Sequence, residues 1–320
     1  MTLMRVLITG GAGFIGSNLA EQFVAEGWDV SVVDDLSNGH REFIPTGVRR
    51  FIHADFSDQK VLNNIHDKQY DVVAHLAAVP RVGYSVEHPV ETNDANVSKT
   101  LKLIDACRNN VKRFVFASSS SVYGGADVLP THESQPKRPK SPYALQKSII
   151  EDYLQLYSDL YNLDSICLRF FNVFGPNQLG DSPYATAVSS WLFAIKSGKP
   201  MRSDGTGEQS RDMCYVSNVA DACVKAATVD GKFYGRCFNI ACGDRVTNNQ
   251  ILDYLMKRFP GATKADAPAR VGDVLHTQGD VSRAFEELGY VPKVTFMEGL
   301  ERTIRWVEST PEFLTLTLKT

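Results

Sequence analysis

Apolar positions in the first half of the chain follow two alternating patterns. Residues 4–9, 29–33, 49–53, 72–76, 113–117 and 165–169 are short, largely unbroken apolar runs, as expected of strands buried on both faces. Between them, residues 14–26, 60–67, 93–109 and 143–161 repeat apolar positions every three to four residues, the period of a helix with one buried face. Strands alternating with helices predict an α/β fold: a doubly wound parallel sheet of Rossmann type with helices on both faces. In such a sheet, ligands sit at the carboxyl ends of the strands. After Phe171 the rhythm breaks. Residues 175–183 and 199–211 read as loop, 185–196, 216–229, 248–259 and 300–308 as helices, and 237–240 as a strand. The pattern divides the chain into a first domain over residues 1–171 and a smaller C-terminal α/β cap over residues 172–320. Segments near residues 213–240 return to the first domain.

The chemistry gathers at the predicted carboxyl edge. Thr9-Gly10-Gly11-Ala12-Gly13-Phe14-Ile15-Gly16 joins the first strand to the first helix. Glycines at Gly10, Gly13 and Gly16 permit a tight turn and close backbone approach, and the helix start at Phe14 and Ile15 aims amide N–H groups at a pyrophosphate. Asp34 follows Gly10 by 24 residues and ends the second strand, where a carboxylate accepts from ribose hydroxyls and repels a 2′-phosphate. NAD is favoured over NADP. Asp55, just past the third strand, either lies beside adenine or caps a helix. Leu76, Ala77 and Ala78 end the fourth strand with side chains small enough for a cofactor to lie against backbone.

Tyr143 and Lys147 are four apart on a predicted helix and so share a face. A tyrosine titrates near ~10, and bringing it to ~7 takes roughly 4 kcal/mol. A cation at ~5 Å and an effective dielectric of ~20 contributes roughly 3 kcal/mol, so the lysine is expected to supply most of that shift. An oxidised nicotinamide would add the remainder. Upstream, residues 117–124 end the fifth strand with four serines, Ser118 to Ser121, any of which could bond the Tyr143 phenol.

Composition narrows the partners. The 320 residues are 43% hydrophobic and 22% charged with a net charge of -3, which gives no electrostatic case for nucleic acid or a membrane surface. Six cysteines lack metal-ligand spacing, so reduced thiols and no metal are expected. No signal-peptide pattern opens the sequence and no apolar run reaches membrane-spanning length, so a cytoplasmic protein is expected.

Taken together, Gly10-x-x-Gly13-x-x-Gly16, the serines before Tyr123-Gly124, and Tyr143-x-x-x-Lys147 resemble the extended short-chain dehydrogenase/reductase family. Residues 169–176 and 205–212 resemble its nucleotide-sugar epimerases. The resemblance implies Tyr143 as base, Lys147 on the nicotinamide ribose, and Ser119, four residues before Tyr123, as the partner serine. It implies Asp34, Asp35, Asn38, Asp55 and Phe56 around adenosine. Asn96 falls near the catalytic tyrosine and Phe170 flanks the nicotinamide, with Asn96, Ala117 and residues 76–78 counted among the cofactor contacts. For a UDP-sugar it implies Ser119, Ser120, Tyr143, Asn172, Gln178, Arg211, Arg270, Asp273 and Thr277.

The dehydratases of the group carry Asp-Glu where this chain has Ser120 and Ser121, which favours 4-epimerisation over elimination. Thr277 aligns where glucose-restricted relatives carry tyrosine, and its small side chain favours UDP-GlcNAc/UDP-GalNAc. UDP-glucose, UDP-glucuronate, a 4-keto sugar reductase and a non-catalytic NAD sensor are the alternatives. Pro80 and Arg81 depart from the patterns of both substrate groups. The resemblance also implies a homodimer built on the helices at 93–109 and 143–161.

Overall fold

The computed structural model describes residues 3–125, 127–180, 185–269 and 274–310. In chain order the first half consists of β1 (Arg5–Thr9), α1 (Phe14–Ala25), β2 (Asp29–Asp34), β3 (Arg50–His53), α2 (Gln59–His66), β4 (Val72–His75), α3 (Val82–Glu87), α4 (Pro89–Asn93), α5 (Lys99–Cys107), β5 (Arg113–Ser119), α6 (Pro142–Tyr161) and β6 (Ser165–Phe170). The second half adds β7 (Val173–Phe174), α7 (Ala187–Lys196), β8 (Met201–Asp204), β9 (Ser210–Arg211), β10 (Cys214–Tyr215), α8 (Val216–Thr228), β11 (Arg236–Ile240), β12 (Val246–Thr247), α9 (Asn248–Arg258), β13 (Lys264–Ala267), α10 (Ser282–Leu288) and α11 (Phe296–Ser309).

Seven strands form one parallel sheet in the order β11-β6-β5-β4-β1-β2-β3. Alternate residues feed opposite cores, as the pleat requires. Val6 and Ile8 of β1, Val115 of β5 and Ile166 and Leu168 of β6 join the core with Leu19 and Phe23 of α1 and Val219 and Ala226 of α8. Leu7, Phe114, Phe116 and Cys167 point the other way, onto Ile65 of α2, Leu103 and Ile104 of α5 and Ile150 and Leu154 of α6. A third core, around Trp191, Leu192, Ile251, Leu255, Leu300 and Ile304, holds the cap together. The chain crosses between these units more than once: α8 packs on α1 and β11 extends the sheet beyond β6.

Several elements differ from the sequence reading. The expected helix over 93–109 is interrupted by a π-helical turn, Asp94–Ser98, that joins α4 to α5. Residues 199–211, expected as loop, contain β8, which pairs with β13, and β9, which pairs with β12. Met201 and Ser203 are buried while Arg202 is exposed, so this strand alternates, but a serine on the inner face conceals it. The last helix begins at Phe296, four residues earlier than expected, because the Thr295 hydroxyl accepts from the Glu298 amide and caps it.

Candidate active site

The turn between β1 and α1 is built for backbone approach. Gly10 has φ +68°, and a Cβ there would lie 2.8 Å from the Ala77 backbone. At Gly16 a Cβ would stand 2.0 Å from the Gly10 carbonyl. Gly13 caps α1 with no side-chain bond, leaving first-turn amides of Phe14 and Ile15 facing the carboxyl edge. Asp34 is buried at the end of β2; Oδ2 accepts from Ala12 N at 3.0 Å and Oδ1 from Leu36 N at 2.9 Å. Burial raises its pKa, while the Leu36 and Ala12 amides pull it back. Each carboxylate oxygen keeps a lone pair for a further donor. Asp35 is exposed and accepts from Ser37 N, and Asn38 Oδ1 accepts from Arg81 at 3.2 Å across the edge. Ala77 N donates to Thr9 Oγ1, which holds residues 76–78 along the glycine turn. These features together fit a dinucleotide with its diphosphate on α1 and its ribose at Asp34.

Asp55 is more occupied than the sequence suggests. Its carboxylate accepts from Ser57 N and Oγ, both at 2.8 Å, and from Lys99 Nζ at 2.7 Å. Burial opposes its charge, but the Lys99 and Ser57 donors outweigh it and hold the pKa below the ordinary value. Phe56 turns its edge to His75, with ring centroids 4.9 Å apart.

Ser141 caps α6, with its hydroxyl accepting from Ala144 N, and Pro142 follows at the first helical position. This start fixes the register that buries Tyr143, Lys147 and Glu151 on one face. The Ser119 side chain draws the pKa of the Tyr143 phenol down. Lys147 Nζ donates to Ala117 O at 2.7 Å, lies 4.7 Å from the Phe116 ring centroid, and stands 5.8 Å from that of Tyr143. The expectation that Lys147 supplies most of the tyrosine's shift is corrected here. Burial pushes Tyr143 up to about 12, and the group that pulls it down is Ser119. Burial also pushes Lys147 down to about 7, against the raising influence of Glu151 and Cys167, so its charge is partial at neutral pH.

Asn96 is held beside the helix that carries Tyr143. Its Nδ2 donates to Val79 O and Gln146 Oε1, and its Oδ1 accepts from Val79 N. With these bonds made, it ties the loop after β4 to α6 and presents no free donor to a cofactor. Phe170, at the end of β6, is buried at 8% exposure.

At the cap, Asn172 Nδ2 donates to Thr277 Oγ1 at 3.0 Å and to Asp212 O at 3.2 Å. Thr277 Oγ1 also accepts from Asp212 N at 3.3 Å. Arg211 donates to the carbonyls of Ser210 and Leu275, so Asn172, Arg211 and Thr277 are brought together. Gln178 Nε2 donates to Val173 O, and its buried Oε1 has no hydrogen-bond partner among the described residues. Arg270 and Asp273 lie outside the described residues.

The family model described as the NAD dependent epimerase/dehydratase family matches residues 6–241. The chain belongs to this family. A UDP-glucose 4-epimerase of Mycolicibacterium smegmatis is 34% identical over 95% of this chain and 98% of its own length. The solved UDP-N-acetylglucosamine 4-epimerase of Methanobrevibacter ruminantium, in complex with UDP-N-acetylmuramic acid, is 35% identical with a TM-score of 0.90, covering 97% of this chain and 99% of that one. The Thermus thermophilus UDP-glucose 4-epimerase, solved with NAD, is 33% identical with a TM-score of 0.86, covering 96% of this chain and 100% of that one. Like the rest of this epimerase/dehydratase family, the protein is an NAD-dependent enzyme.

Three buried groups escaped the sequence reading. Glu151, one turn beyond Lys147, is paired with Arg169 at 2.9 and 2.7 Å and accepts from Ser118 Oγ at 2.6 Å. Its signal was a further step of four on the same helix face. His75, fully buried between the hydroxyls of Thr9 and Thr100, is driven by burial down to about 3 and stays neutral. Asp212 accepts from the amides of Cys242, Gly243 and Gly279 at 2.8, 3.0 and 3.1 Å. Burial raises it to about 6 despite those bonds. Nothing local in sequence marks the last two: the partners of His75 are 25 and 66 residues away, and those of Asp212 are 30 to 67 residues away.

Proposed function

We propose that the protein interconverts a UDP-sugar and its 4-epimer, with UDP-GlcNAc/UDP-GalNAc the preferred pair. The observation that carries this reading is the placement of Tyr143 and Ser119 together at the carboxyl edge beside the glycine turn, with serines at 120 and 121 where elimination would need acids. Tyr143 takes the proton of the sugar 4-hydroxyl and later returns it, so no separate acid is required. Ser119 bonds the same oxygens, and Lys147 orients the nicotinamide ribose from the floor formed by Phe116 and Ala117. NAD would supply reversible hydride transfer at the sugar C4. Gly10, Gly13, Gly16 and the start of α1 hold its diphosphate, and Asp34, with Asp35 and Asn38 beside it, its adenosine ribose. Asn172 and Arg211, with Arg270 and Asp273, bind the UDP diphosphate and nucleotide.

Thr277 supports the acetylated substrate. Its side chain is small, and its hydroxyl is engaged with Asn172 and the Asp212 amide, which leaves the methyl as its free surface. The second reading, UDP-glucose, is supported by the M. smegmatis relative. Proton NMR of each UDP-sugar incubated with protein and no added cofactor tests both. A galacto-configured product from UDP-GlcNAc is expected. Conversion of UDP-glucose alone would overturn the role of Thr277, and no conversion of either, with NAD added, would overturn the epimerase reading.

A further inference from the structure

Arg81, which departs from the sequence patterns of both substrate groups, makes a contact that crosses the cofactor edge. The sheet order places β1 between β4 and β2. Arg81 lies in the loop after β4 and Asn38 in the loop after β2, and the Arg81 guanidinium donates to Asn38 Oδ1 at 3.2 Å. That bond joins the two loops flanking the turn between β1 and α1, where the diphosphate of a dinucleotide belongs. Both loops are anchored close to it. On the β2 side, His40 N donates to Ala12 O at 2.9 Å. A Cβ on Gly39 would stand 2.7 Å from Asp34 Oδ1 and 3.0 Å from Ala12 Cβ, so this loop is seated on the glycine turn. On the β4 side, Asn96 holds both the N–H and the carbonyl of Val79, and the Ser85 hydroxyl accepts from Tyr143 N at 3.1 Å. The Arg81 bond thus links a segment seated on the glycine turn to one tied to α6.

We propose that Arg81 and Asn38 form a clasp across bound NAD: Asn38 steadies the guanidinium, which pairs with the cofactor diphosphate and slows its release. Charge favours an arginine at this place. The start of α1 offers a diphosphate only about half a positive charge, against a formal negative charge on each phosphate. Two lysines of the same edge have other partners, Lys99 at Asp55 and Lys147 at Ala117 O, each at 2.7 Å. A guanidinium presents five donors in a planar fork, enough for an amide oxygen and two phosphate oxygens together. The inference rests on the epimerase reading, in which NAD must stay bound from one hydride transfer to the next.

Release of the cofactor is measured directly. Protein loaded with NADH is mixed with excess NAD, and the decay of bound-NADH fluorescence gives the dissociation rate. Arg81→Met is expected to speed release about ten- to hundredfold, as loss of a charge-assisted contact predicts. Release from the parent should quicken with ionic strength more steeply than release from the variant. A double-mutant cycle tests the clasp itself. Asn38→Ala should speed release at least about threefold in the parent, and less than about twofold beside Arg81→Met.

Unaltered NADH release in folded Arg81→Met overturns the proposal, and so do additive effects of the two substitutions. Should methionine impair folding, Arg81→Lys makes the comparison, since it keeps a charge without the paired donors. Release from that variant at the parent's rate overturns the proposal equally. No sugar takes part in this measurement. A failure to epimerise would therefore count against the epimerase reading alone, and unaltered release against the clasp alone.

Discussion

As the proposed base, Tyr143 has to release a proton from a place where burial alone favours keeping it. From about 12 to neutrality is a gap worth roughly 7 kcal/mol. Ser119 closes part of it, and the partly charged Lys147 less than its distance suggests. Lys147 also carries a pH signature of its own. Its pKa is near 7 in the fold, against an unfolded value of 10.5, so between those limits the folded state binds fewer protons than the unfolded chain. Stability therefore rises with pH across that window. The stability advantage of Lys147→Met over the parent should narrow by about 2–3 kcal/mol between about pH 6 and about pH 9, measured by denaturant unfolding at each pH. A constant difference would mean that Lys147 titrates normally. At this scale the sequence showed which residue types were present but not how they pair. Tyr143-x-x-x-Lys147 is a local spacing and could be read directly. The four serines could not be ranked, because Ser118 is distinguished by Glu151, 33 residues away, and Ser119 by Tyr143, which sits on another element.

Among elements, α6 carries the most. Its inner face bears Tyr143, Lys147 and Glu151 at steps of four, then Leu154 in the core beneath the sheet. Leu154→Ala should cost about 2–5 kcal/mol of unfolding free energy, since the gap lies between α6 and a rigid sheet. A cost below about 1 kcal/mol, from the midpoint of a denaturant titration, would show that the helix can settle into the space. Long elements with a strong period, such as α6 and β1, were legible because their burial pattern is complete within the element. β8 and β13 were not: each spans four residues, and β13 reads Lys-Ala-Asp-Ala with three exposed positions. Their strand character comes from pairing with each other across more than sixty residues, as Met201 with Lys264. The π-helical turn within the helix expected over 93–109 was missed for a different reason. The apolar period of that helix continues through the turn, and periodicity is blind to one changed hydrogen-bond step.

For the whole molecule, the outer side of α6 is left apolar. Leu145, Leu156 and Leu160 are 49%, 47% and 62% exposed, and Val86 and Val90 nearby in the fold stand at 60% and 83%. We propose that a second copy of the chain covers this face. Leu156→Glu combined with Leu160→Glu should convert a dimer to a monomer in sedimentation velocity while leaving the buried side of the helix intact. A parent protein that sediments as a monomer at micromolar concentration would sink this assembly.

The carboxylate of Asp212 gathers the adjacent amides of Cys242 and Gly243 and, from a second stretch, that of Gly279. A chimera whose crossover falls between residues 212 and 279 would therefore separate this acid from some of its donors, leaving a carboxylate stranded in the interior. Recombining substrate preference within this fold means moving residues 205–212, 241–243 and 274–280 as one inheritance, even though no uninterrupted stretch of chain contains them alone.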